Sequence, residues 1–229
     1  MDLMLAVIAG LAAYILGSIS FAVIFSKLFA KKDVRKYGSG NAGMTNVMRV
    51  AGRLPGILTF ICDVLKGFLA CLIGWWLFSI SYSDTGYAIY QPLYGAYFCG
   101  ILAMLGHVFP VFFGFKGGKA VAICLGVMGV CNWPVMLLAL GIFLVFVLIT
   151  KIVSVGSIFA ALSLIILTPF FDMSMTAIFM PVDNNGSTLW VTLLSAVMAA
   201  IVILKHTDNI KRLIKGTEKP LTVKENKNV

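Results

Sequence analysis

The sequence predicts an all-α, polytopic integral membrane protein with about seven transmembrane helices, its N-terminus outside and its C-terminus cytoplasmic. Three observations predict it. Of the 229 residues, 60% are hydrophobic and only 12% charged, and several apolar runs reach the ~20 residues that a helix needs to cross a bilayer. The 18 Lys and Arg are confined to positions 27–53, Lys66, 116–119, Lys151 and 205–227. Basic residues gathered on alternate connections mark cytoplasmic loops. Asp2, Asp84, Asp172 and Asp183 fall on the opposite connections, so an odd number of crossings satisfies the charge pattern.

A net charge of +9 is compatible in principle with nucleic acid, but its distribution is not. These cations orient the chain and meet anionic headgroups or anionic substrates. The five cysteines, at 62, 71, 99, 124 and 131, lie in apolar segments without metal or disulfide spacing, so they read as small core residues.

Taken in order, residues 3–28 form a first helix, because 3–26 carry no charge. The run is too long for a signal peptide and lacks a basic leader. Gly17-Ser18-Ile19-Ser20 gives it a small-residue packing face. A basic connection leads into Tyr37-Gly38-Ser39-Gly40-Asn41 and on to Arg49. Ser39 or Asn41 can cap a short helix here. On it Asn41, Thr45 and Arg49 recur every four residues, with Asn46 beside them. Hydroxyl, amide and guanidinium donors on one face suit a phosphate bearing a polyol; a solvated capped helix is the plainer reading.

The second helix, 55–79, contains Asp63 and Lys66. Each costs roughly 2.5–3.5 kcal/mol to insert. The i,i+3 spacing lets them pair, either as a purely structural couple or beside a polar site. A third helix, 93–113, follows an outer connection at 80–92 and ends in the stretch 106–119. There Lys116 and Lys119 flank Gly117 and Gly118. Glycines admit an anion close to main-chain N–H groups, and a helix starting nearby adds its positive end. This reads as a phosphate cradle, or more plainly as a turn with headgroup lysines. It is no Walker A loop: three residues separate Gly114 from Gly118, and Ala120 stands where that loop needs Ser or Thr.

The 31 uncharged residues between Lys119 and Lys151, broken at Asn132-Trp133-Pro134, predict a hairpin of two short helices. A sixth helix spans 152–170, opening with Ser154 near the inner face. An outer loop at 171–187 and a seventh helix at 188–205 follow. Residues 206–219 return to the cytoplasm, and 220–229 form a polar tail. The chain thus reads as one domain, 1–219, with cytoplasmic motifs at 37–53, 106–119 and 206–219.

Together these motifs, with Asp63-Val64-Leu65-Lys66-Gly67 and His206…Asn209-Ile210…Arg212-Leu213…Gly216-Thr217-Glu218, resemble the bacterial acyl-phosphate:glycerol-3-phosphate acyltransferase family over essentially the whole chain. Departures are small: Met44, Ala120 and Ile123 replace residues usual in that family. The resemblance implies a multi-pass enzyme of the bacterial cytoplasmic (inner) membrane, with its site facing the cytoplasm. It would make 1-acyl-glycerol-3-phosphate from glycerol-3-phosphate and acyl phosphate, with no cofactor or metal. Ser39, Arg49, Lys116, His206 and Asn209 would hold glycerol-3-phosphate as the catalytic set. Asn41, Thr45, Asn46, His107, Ser154 and Arg212 would join in substrate binding. The backbone of Gly117, Gly118 and Lys119, with the lysines, would take the donor's phosphate. Membrane lipids surround the enzyme, a soluble acyl-phosphate-forming partner is compatible with it, and nucleic acid is not.

Neither histidine has an Asp five residues later, so the His-x4-Asp arrangement of other glycerolipid acyltransferases is missing. Direct transfer to the hydroxyl, with the donor's phosphate taking the proton, is therefore expected; His206 as base is the alternative. A transporter for an anionic metabolite is the rival of another class. The sequence shows no inverted repeat to support it.

Overall fold

A computed structural model describes residues 2–85, 91–171 and 188–220 of the chain. All regular structure among them is helical: α1 Asp2–Gly17, α2 Phe21–Ala30, α3 Met44–Ala51, α4 Arg53–Thr85, α5 Pro92–Val108, α6 Val121–Cys131, α7 Trp133–Thr150, α8 Val153–Leu167, α9 Thr188–Leu204 and α10 Thr207–Ile214, with short 3₁₀ turns between some of them.

Helix α5 is the axis of the bundle. Tyr97, Ala96, Ala103 and Met104 on it are fully buried, and α1, α4 and α6 pack around it. Small residues set the spacing. Gly17 lies directly on the backbone of Ala103, and Gly74 on that of Gly95. A side chain at either place would push the helices apart. The outward faces carry Leu3, Leu11, Leu65, Trp76, Leu148, Ile149 and Ile166, all exposed, as suits lipid contact.

Five helical segments among the described residues are long and apolar enough to cross a membrane, and a sixth is added if α9 and α10, bent by 57° from each other, form one span. The all-α, multi-span class stands at that count. Three features depart from the expected elements. The first helix is broken: Ser18 Oγ bonds the Tyr14 carbonyl at 2.9 Å, and α2 begins afresh at Phe21. The two helices after the cradle are unequal, since α6 has 11 residues and α7 has 18. At 1.5 Å per residue α6 covers only about half of a ~30 Å hydrocarbon core. Finally, the stretch after α9, for which the sequence predicts only a return to the cytoplasm, contains α10, with Asp208 in its first turn and Lys211 and Arg212 in its last. Each charge is opposite in sign to the end of the helix dipole at which it sits. The expected outer loop at 171–187 and the tail at 220–229 lie outside the described residues except at Phe171 and Pro220, as does part of the connection at 80–92.

Candidate active site

The first motif is built around Asn46, which is 1% exposed. Its side-chain oxygen accepts the Ser39 amide at 2.9 Å, and its NH₂ group donates to the carbonyls of Val34, Tyr37 and Asn41, each at 3.0 Å. Gly38 adopts φ +63° directly over that oxygen, a conformation that favours glycine. The side chain named from the sequence as a substrate ligand is thus already committed to shaping the loop. The helical face also needs correction. Helix α3 starts at Met44 with Gly43 as its N-cap and no side-chain cap bond. Thr45 and Arg49 share the helix, while Asn41 belongs to the lead-in, and neither Ser39 nor Asn41 caps. Ser39 and Arg49 are exposed.

A clamp missed at the sequence level ties this loop to the cradle. Asp33 grips Arg35 through two bonds, 3.0 Å to Nε and 2.7 Å to Nη2. Nη1 of Arg35 then donates to the carbonyls of Phe113 at 2.5 Å and Lys116 at 3.4 Å. The hydrogen bonds from Arg35 hold the Asp33 carboxyl down at about 2 against the opposing effect of burial. Between the two clamped carbonyls, Gly114 and Phe115 are both left-handed, at φ +65° and +58°. For a bulky residue such as Phe115 this conformation is strained.

The cradle holds an anion differently from the expectation. The amide of Gly117 donates to Val108 O at 3.2 Å, and that of Gly118 to His107 O at 3.1 Å. Both glycine amides are therefore spent within the loop, and the missing side chains serve close approach instead. A Cβ on Gly118 would collide with His107 Nε2 and come within 2.6 Å of Ala42 O. Ala120 is left-handed and opens α6. Among the described residues none accepts from the amides of Lys119, Ala120 and Val121. The donors available to an anion are thus those at the start of α6, where the helix dipole adds to them.

Lys119 leads from the cradle into the third motif. Its Nζ donates to Asn209 Oδ1 at 2.5 Å, and Asn209 Nδ2 donates to Glu218 Oε1 at 2.5 Å. Glu218 also accepts from Ser154 Oγ at 2.8 Å and from Arg212 Nε at 2.5 Å. Burial raises the Glu218 carboxyl, but the bonds from Arg212, Asn209 and Ser154 outweigh it and hold its pKa below the ordinary value. Burial lowers Lys119 to about 8, with the Glu218 charge opposing that shift. The motifs close on each other where Arg49 Nη2 meets the Pro220 carbonyl at 3.4 Å. His206, 3% exposed, heads α10, with Nδ1 at 2.7 Å from Val202 O.

Beneath the cradle lies the intramembrane ion pair. Lys66 Nζ is 2.8 Å from Asp63 Oδ1, donates to the Ile19 carbonyl at 2.8 Å and stands 2.9 Å from His107 Nδ1. The broken first helix thus supplies a carbonyl to a buried ammonium. This joins the two readings that the sequence allows for Asp63 and Lys66: the pair is structural, and it sits against a residue of the cradle.

Every sequence-named residue except Thr45 is therefore placed in or against one connected cluster, Ser39 and Asn41 through their main chain, and to it the structure adds Asp33, Arg35 and Glu218. Glu218 is visible in the sequence as part of a motif, but a carboxylate among cations gives no hint that it organises them. Arg49 and Lys116 are left exposed, and no described carboxylate pairs with either. The cluster is cationic, and an apolar groove lined by Phe60, Val121, Leu125, Met136, Phe143 and Leu164 starts at the first residue of α6.

Known proteins match this chain over most of its length. Residues 7–216 match the family model described as glycerol-3-phosphate acyltransferase. A protein of Bacillus anthracis named glycerol-3-phosphate acyltransferase 2 is 39% identical, over 90% of this chain and 94% of its own. Glycerol-3-phosphate acyltransferase of Clostridioides difficile is 38% identical, over 98% and 100%. Two crystal structures of PlsY (YgiH), an integral membrane glycerol 3-phosphate acyltransferase, each cover 94% of both chains. The glycerol 3-phosphate form has a TM-score of 0.74 at 35% identity, and the lysophosphatidic acid form 0.72 at 34%. With a family model spanning most of its length and relatives this similar from end to end, the chain belongs to the glycerol-3-phosphate acyltransferase family.

Proposed function

We propose that this protein transfers an acyl group from acyl phosphate to the sn-1 hydroxyl of glycerol-3-phosphate, releasing 1-acyl-glycerol-3-phosphate and phosphate. The observation that carries the reading is the pairing of carboxylates. Asp33, Asp63 and Glu218 are each matched by a cation of their own, which leaves Arg49, Lys116 and Lys119 to bring two mutually repelling anions together. The forms named for the two similar crystal structures are one substrate and the product of this reaction. Arg49, Ser39 and Lys116 would hold glycerol-3-phosphate with His206 and Asn209, while Ser154, Arg212 and Glu218 fix Asn209 and Lys119. The amides of residues 119–121 and Lys119 would bind the phosphate of the donor, and its acyl chain would leave along the apolar groove at Val121.

An acyl phosphate is an activated anhydride. The acceptor hydroxyl attacks its carbonyl carbon, the ester C–O bond forms, and the bond to the phosphate oxygen breaks. The hydroxyl proton passes to the departing phosphate. Cations and N–H donors stabilise the charge gathering on that phosphate, and holding both substrates supplies proximity. We infer further that 1–219 is one domain with seven crossings, α6 counted among them, and that all three motifs face the cytoplasm of a bacterial inner membrane.

Purified protein in detergent should form 1-acyl-glycerol-3-phosphate and release phosphate from acyl phosphate, and not from acyl-CoA. Robust transfer from acyl-CoA would overturn the choice of donor, and inactivity with both would overturn the reaction. For orientation, a single cysteine at Asn184 in a cysteine-free protein should react with an impermeant thiol reagent added outside. One at Asn226 should react only once the membrane is opened; the reverse would invert the topology.

A further inference from the structure

The chain has two histidines, both in motifs and both buried, at 7% and 3% exposure, and their ring nitrogens meet opposite kinds of partner. His107 Nδ1 lies 2.9 Å from Lys66 Nζ. An ammonium has hydrogens and no lone pair, so this nitrogen must accept, and an imidazole that accepts at Nδ1 carries its single proton on Nε2. Asp63 Oδ1 cannot reverse the assignment, because it stands 3.6 Å from Nδ1, beyond hydrogen-bond range. Lys66 is itself held from three sides, by Asp63, by the Ile19 carbonyl and by the ring. The opposite edge of the ring, at Nε2, faces Gly118 in the cradle, where a side chain would strike it. Nε2 bonds to no described residue.

His206 is the reverse case. A main-chain carbonyl can only accept, so the 2.7 Å contact with Val202 O places the proton on Nδ1. The neutral ring is left with a lone pair at Nε2.

We propose that Lys66 is a positioning residue that fixes His107 in the Nε2–H tautomer, so that the Gly118 edge of the cradle offers a ring N–H to a phosphate group, while Val202 fixes His206 in the opposite Nδ1–H tautomer with Nε2 as an acceptor. The substrate side of this inference rests on the acyl-transfer reading above; the ring states do not. The arrangement gives each subsite what its ligand needs. The anion meets a donor that adds no charge to a crowded cationic cluster. The polyol hydroxyl meets an acceptor, whether for a hydrogen bond or for its proton.

Nitrogen-15 NMR of histidine-labelled protein in micelles at pH 7.5 tests this directly. Wild-type protein should show one ring of each tautomer, assigned by the signals lost in the His206→Gln variant. Two rings of the same tautomer, or a doubly protonated His107, would overturn the proposal, and the number of tautomers is read on wild-type protein alone. Inorganic phosphate should shift the His107 Nε2 signal; no shift at saturating phosphate would remove His107 as a donor. Replacing the pair by apolar residues of similar volume, Asp63→Leu with Lys66→Met, should turn His107 into a mixture of tautomers and leave His206 unchanged. It should raise KM for acyl phosphate about tenfold while KM for glycerol-3-phosphate moves less than about twofold. Equal changes in both KM values with an unaltered His107 spectrum would show a merely structural pair and overturn the positioning role. Opposite tautomers in a protein that transfers no acyl group would fault the reaction, not the ring states.

Discussion

Asp63 and Glu218 sit on either side of Gly118 and Lys119, and each organises cations in its own way. Asp63 lies inside α4 at 2% exposure and meets one lysine, whose ammonium also contacts a carbonyl and a ring nitrogen. Glu218 lies in the stretch after α10 and accepts from Ser154, Asn209 and Arg212 together. The depth explains the difference. Within the membrane an unmatched charge costs several kcal/mol, so the ion pair is closed, with the ammonium also in contact with the Ile19 carbonyl and the His107 ring. Outside the spanning helices burial is less complete, at 10% exposure for the Glu218 side chain, and a carboxylate can collect several donors from separate segments. The inner cluster therefore fixes geometry, and the outer one tunes charge. Both keep carboxylates away from Arg49 and Lys116.

The largest expected effect comes from forcing the two clusters apart. Gly118→Val would drive a side chain into His107 Nε2 and against Ala42 O, and the ring is held from its other nitrogen by Lys66. Overpacking of this kind costs up to ~3 kcal/mol or more, on the order of a hundredfold in rate if it falls on the site. Turnover should be lost while detergent-purified protein remains monodisperse. Retained activity would show that the cradle lies elsewhere.

Arg49→Lys comes next and tests the cations that the clusters leave over. Charge is kept, but a guanidinium grips phosphate through two parallel bonds and an ammonium is a point charge. A loss of about tenfold or more in kcat/KM for glycerol-3-phosphate is expected, matching ~1.5–3 kcal/mol for a charged hydrogen bond. Near-normal kinetics would remove Arg49 from the site.

The outer cluster is more legible in the sequence than the inner one, for a physical reason. Arg49, Lys116, Lys119, His206 and Asn209 carry their chemistry in side chains that stand out against an apolar background. The devices that position them are long-range. Arg35 reaches carbonyls 78 and 81 residues away, and the small-residue turn at Ser18 to Ser20 reads as a packing face until Lys66 is seen to bind the carbonyl it exposes. Gly117 and Gly118 illustrate the limit differently. Glycines in a basic loop suggest open amides, but only the fold shows those two amides turned back on Val108 and His107. Helix α10 has a signal in the sequence, the order of Asp208 before Lys211 and Arg212 that a helix dipole favours.

The smallest effect expected is a pH shift, and it separates the outer cluster from the inner one. Burial lowers Lys119 to about 8, and the Glu218 charge pulls it back up. The protonated lysine is the form that attracts a phosphate, so kcat/KM for acyl phosphate should be full below pH 8 and fall as pH rises through it, since kcat/KM reports groups of the free enzyme. Removing the opposing charge with Glu218→Gln should move that alkaline limb to lower pH, because the charged form of Lys119 then loses its partner while its burial stays. The amide keeps an oxygen for Ser154 and Asn209, so the bond network is altered less than the charge. The double substitution at Asp63 and Lys66 should change KM and leave the limb where it is. An alkaline limb that moves with Asp63 and not with Glu218 would reverse the roles given to the two clusters.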